Sequence, residues 1–194
     1  MEIIPLALGD YMTNCYIIRQ ENSKECCILD PGYEAGRILS LLDEKQLTPE
    51  AILLTHGHFD HVGAVKDLAA ETDCEVYISA ADLSLPPMIT NGPLYYTNTY
   101  PESGSLTIAG LSFRVIPTPG HTPGSVCLMV EDALFSGDTL FAGSCGRTDL
   151  PGGSWSSISA SLKKLAALPG DYRVFPGHGA ATTLEYERRC NPYL

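Results

Sequence analysis

His56-Gly57-His58-Phe59-Asp60-His61 sets three imidazoles and a carboxylate within six residues. Imidazole adds little to a hydrophobic core and is costly to bury unpaired, so ligands at i, i+2, i+4 and i+5 point to metal binding rather than packing. The flanks place this cluster in a fold. Ala51 to Leu54 before it is an apolar run of strand length, and Val62, Val65, Leu68 and Ala69 after it recur at helical spacing. His56 and His58 are thus expected on a strand-to-helix loop, with Asp60 and His61 in the first turn of one continuous helix.

The chain has five histidines, and the remaining two, His121 and His178, lie in similar surroundings. His121 sits in Pro117-Thr118-Pro119-Gly120-His121-Thr122-Pro123-Gly124, and His178 in Phe175-Pro176-Gly177-His178-Gly179, both following apolar runs. Turns of this composition present a side chain at the end of a strand. Asp138, in Ser136-Gly137-Asp138, ends a strand in the same way.

Working outward, strands are expected at Ile3 to Leu8, Cys15 to Ile18 and Cys26 to Leu29, the last closed by Asp30-Pro31-Gly32. A helix follows over about Glu34 to Gln46, and a short strand over Glu75 to Ser79. Residues 80–105, which include Tyr95, Tyr96 and Tyr100, read as a long irregular connection, either a cover for a site or plain surface packing. A second group of strands then covers Leu106 to Ile108, Phe113 to Ile116, Val126 to Val130 and Ala133 to Ser136. A helix over Trp155 to Leu168, a strand over Tyr172 to Phe175 and a helix over Thr183 to Cys190 complete the chain. Strands followed by helices, twice over, predict an α/β (α+β) domain spanning residues 1–194, with two sheets face to face and helices outside. No internal sequence repeat is evident.

With 44% hydrophobic and 18% charged residues, the composition is that of an ordinary globular protein. No apolar stretch reaches membrane-spanning length and Met1-Glu2-Ile3-Ile4-Pro5 lacks the basic segment of a signal peptide, so a cytoplasmic location is expected. Seven cysteines at irregular spacing, without a C-x-x-C pair, read as reduced and mostly buried thiols. Cys145, in a glycine-rich segment after Asp138, has a catalytic or redox-sensing reading beside that of simple packing. The net charge of −11 argues against a nucleic-acid partner, and Arg114 is the only lysine or arginine between Asp67 and Gly146. An anionic substrate would therefore be anchored by the metals themselves or by Arg147.

Taken together, Thr55-His56-Gly57-His58-Phe59-Asp60-His61, the His121 turn, Ser136-Gly137-Asp138 and Pro176-Gly177-His178-Gly179 resemble the metallo-β-lactamase-fold hydrolases in order and spacing. The resemblance covers essentially the whole chain and implies a four-layer αββα sandwich. It also implies two divalent metal ions: His56, His58 and His121 on the first, Asp60, His61 and His178 on the second, and Asp138 bridging them. Mixed imidazole and carboxylate ligands suit zinc, iron or manganese, with zinc the first choice. In this family a hydroxide shared by the metals attacks the substrate carbonyl, and Asp60 is the residue implied to hold it in line.

Leu140 to Gly153, with Cys145-Gly146-Arg147-Thr148-Asp149 inside it, and the terminal Glu187-Arg188-Arg189-Cys190-Asn191-Pro192-Tyr193-Leu194 resemble the short bacterial form of glyoxalase II. That implies hydrolysis of a small-molecule thioester of the S-lactoylglutathione type to a hydroxy acid and a free thiol. Arg147 then becomes the candidate anchor for a substrate carboxylate, with an ion pair to Asp149 as the alternative, and Tyr95 and Tyr96 become candidate substrate contacts. Only sixteen residues follow His178, too few for the helical domain that helps bind glutathione in longer glyoxalase II enzymes. Persulfide dioxygenase, a mononuclear iron enzyme of the same fold, also resembles the Cys145 to Asp149 segment. Its Pro-Ala-His-Asp turn differs from Pro176-Gly177-His178-Gly179, which matches the dinuclear hydrolases. Lactone hydrolysis is a further alternative on the same metal site.

Overall fold

A computed structural model describes residues 1–101 and 104–194. Its first sheet joins six strands in chain order: β1 (Glu2–Leu8), β2 (Thr13–Arg19), β3 (Glu25–Leu29), β4 (Thr48–Leu53), β5 (Glu75–Ile78) and β6 (Asn98–Thr99). β1, β2 and β3 are antiparallel, whereas β3 to β6 run parallel. The second sheet contains β7 (Ser105–Ile108), β8 (Leu111–Pro117), β9 (Val126–Val130), β10 (Ala133–Gly137), β13 (Arg173–Pro176) and β14 (Thr182–Thr183). Between β10 and β13 the chain forms a small hairpin of β11 (Leu140–Phe141) and β12 (Ser144–Cys145).

Strand parity assigns each side chain to a layer, because alternate residues of a strand face opposite sides. Tyr16, Ile18, Cys27, Leu29, Ala51 and Leu53 point from the first sheet into a cluster shared with Phe113, Leu128, Val130 and Phe135 of the second. Their neighbours Cys15, Ile17, Cys26, Ile28 and Ile52 face the other way, onto Ile38 and Leu42 of α1 (Ala35–Glu44) and Val65 and Leu68 of α3 (Val65–Thr72). On the far side, Cys127 and Leu134 pack on Ile158, Leu162 and Leu165 of α5 (Trp155–Ala166), and α6 (Leu184–Cys190) adds Leu184. The order of layers is therefore helix, sheet, sheet, helix, as expected. Among the described residues no helix is long and apolar enough to cross a membrane.

Two expectations change. The helix after the histidine cluster is interrupted, giving α2 (Phe59–Val62) and then α3. Gly63 packs directly on the Gly32 carbonyl, where a Cβ would collide, and the Ala64 amide donates to the Pro31 carbonyl at 3.0 Å rather than to its own helix. The connection after β5 is also more ordered than its composition suggests. It contains a 3-10 turn at Ala80–Ser84, the short α4 (Pro87–Thr90) and β6, while residues 102–103 lie outside the described part.

Candidate metal centre

Every proposed ligand follows the carboxyl end of a strand. His56 and His58 follow β4, and Asp60 and His61 follow within α2; His121 comes after β8, Asp138 after β10 and His178 after β13. Parallel pairing of β10 with β13 sets Gly137 opposite Pro176, which brings Asp138 and His178 together from segments distant in sequence. Gly177 makes the approach possible, since a Cβ there would strike the Asp138 carboxylate and the His61 ring.

Donor atoms of His56, His58 and His121 lie within 4.8 Å of one another, as do those of Asp60, His61 and His178. Asp138 faces both groups: Oδ2 is 3.4 Å from His121 Nε2 and 3.6 Å from His178 Nε2, and Oδ1 is 3.4 Å from His61 Nε2. His58 Nδ1 approaches His121 Nε2 to 2.8 Å. The residues meet a physical test for metal binding. Nε2 of His56, His58 and His61 and Oδ1 of Asp138 are buried without a hydrogen-bond partner. Orphaned polar atoms are costly and rare, and four in one cluster indicate groups shaped to bind a cation.

Most of the imidazoles are also oriented from behind. Asp30 Oδ2 accepts from His61 Nδ1 at 3.0 Å and from Thr55 Oγ1 at 2.6 Å, and Thr55 Oγ1 lies 3.0 Å from His56 Nδ1. The Arg147 carbonyl is 2.8 Å from His121 Nδ1, and that of Tyr11 is 3.1 Å from His178 Nδ1. Such contacts fix which ring nitrogen turns inward. Electrostatics divides the cluster. Burial pushes His58 down to about 4, and burial reinforced by His61 and His121 pushes His56 well below its ordinary value. Burial also disfavours a proton on His61, but Asp138 and Asp30 outweigh it and raise His61 well above its usual range. His178 is likewise raised against burial, through its contact with Asp60 and the charge of Asp138. Asp138 is lowered despite burial, chiefly by His61.

Three acidic residues hold the site in shape without a site signal of their own in the sequence: Asp30 reads there only as a turn former, Asp82 carries no signal, and Glu187 stands out only as part of the terminal segment. Asp82 is fully buried and accepts from Gly57 N (2.8 Å), Gly124 N (2.6 Å) and Thr122 Oγ1 (2.9 Å), tying the His56 loop to the His121 turn. Glu187 accepts from Gly143 N at 2.8 Å and Thr182 Oγ1 at 2.6 Å. Asn191 donates to Glu187 Oε2 and to the carbonyls of Phe141 and Ser144, so α6 grips the β11–β12 hairpin. The terminal segment that resembled a family signature thus supports a wall of the site.

A cavity of about 500 Å³ opens above the cluster. His58, Asp60, His121, Asp138 and His178 form its polar floor; Tyr11, Phe59, Met88, Ile89, Phe141 and Leu150 supply most of its wall. Arg147 also lines it, but its Nε and Nη2 each donate to Asp149 at 2.7 Å, the ion pair considered as its alternative. Tyr95 and Tyr96 are partly exposed and are not among the lining residues. Their irregular segment has no periodicity to set which side chains turn inward, and Met88 and Ile89 of α4 reach the cavity instead. Cys145 lines the cavity, but burial raises its thiol pKa, which opposes a reactive thiolate.

Known proteins resemble this chain over nearly its whole length. The profile of the Metallo-beta-lactamase superfamily matches residues 8–178. Hydroxyacylglutathione hydrolase GloC of Haemophilus influenzae is 35% identical over 211 residues, covering 100% of this chain and 97% of that protein. Among solved structures, BLEG-1 B3 metallo-beta-lactamase superposes with a TM-score of 0.90 at 38% identity, covering 100% of this chain and 99% of the other. TTHA1623 in a di-iron-bound form gives 0.86 at 39% identity, with 98% and 100% covered. ETHE1 from Myxococcus xanthus gives 0.86 at 29% identity, with 99% and 84% covered.

Proposed function

This chain belongs to the metallo-beta-lactamase superfamily, which implies a metal-dependent hydrolase, and we propose that it hydrolyses a thioester of the S-lactoylglutathione type to a hydroxy acid and a free thiol. The observation that carries this reading is the pair of donor groups, His56, His58, His121 and Asp60, His61, His178, joined by Asp138 beneath one cavity. Whole-length similarity to a hydroxyacylglutathione hydrolase supports the choice of a thioester.

In this reading the first group would hold one divalent ion and the second group another, with Asp138 available to both. When bound, such ions supply Lewis acidity and make water acidic enough to provide hydroxide near neutral pH, lowering its pKa from 15.7 to about 7. Zinc, iron and manganese all suit these ligands, and a related structure carries iron. Asp60 faces the cavity, and its Oδ2 accepts from Thr13 Oγ1 at 3.2 Å. Held so, its carboxylate orients the attacking water and takes up a proton. The water oxygen becomes bonded to the acyl carbon, the C–S bond breaks, and that proton is available to the departing sulfur. Tyr11 and Phe59 pack edge to face at 5.3 Å beside the cluster.

The experiment is a single metal-quantified sample assayed for lactoylglutathione hydrolysis, β-lactam hydrolysis and oxygen uptake with glutathione persulfide. Two metals per chain with thioester hydrolysis uphold the proposal. One iron per chain with oxygen uptake, or β-lactam turnover without thioester turnover, replaces it.

A further inference from the structure

We propose that the part of the substrate lying against the cavity wall is uncharged and apolar, and that this wall does not select the charged tripeptide of glutathione. This rests on the thioesterase reading above and concerns what the same site recognises.

Two observations carry it. The first is the wall: Tyr11, Phe59, Met88, Ile89, Phe141 and Leu150 surround the metal-ligand floor. Met88 is 81% exposed and Tyr11 59% exposed at this rim, so apolar surface stands in water that a substrate would displace. The second is the state of Arg147, the only lysine or arginine on the wall among the described residues. Both oxygens of Asp149 are bonded to Arg147, giving a pair with no net charge. Away from the metal-ligand floor, the carboxylates of glutathione would lose water against hydrocarbon, with no unpaired lysine or arginine on the wall among the described residues and on a chain of net charge −11. An apolar group meets none of these costs and gains in proportion to the area it buries.

The apolar group could be the acyl chain or the thiol, and the test separates them. With metal-loaded protein, dissociation constants are measured for two thioethers that cannot be hydrolysed, S-methylglutathione and the uncharged S-benzyl-N-acetylcysteamine. The uncharged thioether should bind about ten-fold tighter or better. Equal or weaker binding overturns the proposal. Met88→Glu and Leu150→Glu, at the rim, should each reduce this preference about three-fold or more, and full preference in both variants also overturns it. Hydrolysis then identifies the source. Lactoyl esters of glutathione and of a benzyl-bearing uncharged thiol vary the thiol, whereas glutathione esters of lactate and hexanoate vary the acyl group. About a ten-fold gain in kcat/KM in one arm marks the part that lies on the wall. Hydrolysis of lactoylglutathione with no gain in either arm overturns the proposal and leaves the thioesterase reading standing. Preferred binding of the apolar thioether with no thioester cleaved upholds the apolar wall and removes the thioesterase reading.

Discussion

Asp30 Oδ2 lies 3.0 Å from His61 Nδ1 and also accepts from Thr55 Oγ1, which in turn contacts His56, so one carboxylate orients a histidine from each proposed metal group. Asp30→Ala frees both rings to rotate. Loss of such an orienting contact typically costs about 10–100-fold in metal affinity. Competitive metal titration should show weakening of both ions; weakening of neither would remove Asp30 from this role.

His178 is the least buried of the histidines and turns its Nε2 toward Asp60 and Asp138. His178→Ala is expected to lower kcat/KM by about 10²-fold or more, as for loss of a group that stabilises developing charge. Unfolding free energy, compared without metal, should change by only about 1 kcal/mol or less, because the side chain contributes little packing. Kinetics and denaturant titration on the same samples decide this, and equal losses in both would assign His178 to the fold.

Asp82 holds two ligand-bearing loops through buried contacts to Gly57 N, Gly124 N and Thr122 Oγ1. Burial raises its pKa even though these three donors oppose the shift. Asp82→Ala leaves two amides without an acceptor, each costing about 1–3 kcal/mol, so a loss of about 2–6 kcal/mol is expected in urea unfolding. A loss below about 1 kcal/mol would show that water replaces the carboxylate.

Cysteine chemistry yields a pH prediction. Burial pushes Cys26 up to about 12 and Cys127 to about 11 from an ordinary value of 9.0, and raises Cys15, Cys27 and Cys74 in the same direction. The folded pKa exceeds the unfolded one, so this contribution to stability is fully present below pH 9.0 and is lost as pH rises toward 11–12. Denaturation midpoints should therefore fall steeply above pH 9.0, and a midpoint independent of pH up to 11 would contradict it. At neutral pH a thiol reagent should label exposed Cys190 first and half-buried Cys145 next, reaching the other five cysteines only on unfolding.

What could be read in advance follows from how local each signal is. The layer assignment of Cys15, Tyr16, Ile17 and Ile18 follows from strand parity alone, and the His56 to His61 cluster is unusual enough to announce metal chemistry without a fold. Asp30 and Asp82 were hidden because an aspartate before Pro-Gly, or in a short turn, is an ordinary turn former. Their donors come from residues 25 to 42 positions away, a distance no local pattern encodes. Glu187 and Asn191 were visible as a signature, but their grip on the Phe141 to Ser144 hairpin depends on α6 lying against it. The break between α2 and α3 was likewise tertiary, since it is the Pro31 carbonyl that takes the Ala64 amide.

In the proposed enzyme seven side chains form one site for two ions. Anomalous X-ray scattering from crystals of metal-loaded protein tests it most directly. Two peaks are expected, one among His56, His58 and His121 and one among Asp60, His61 and His178, with Asp138 between them. A single peak, or peaks that leave Asp138 without contact to metal, would contradict it.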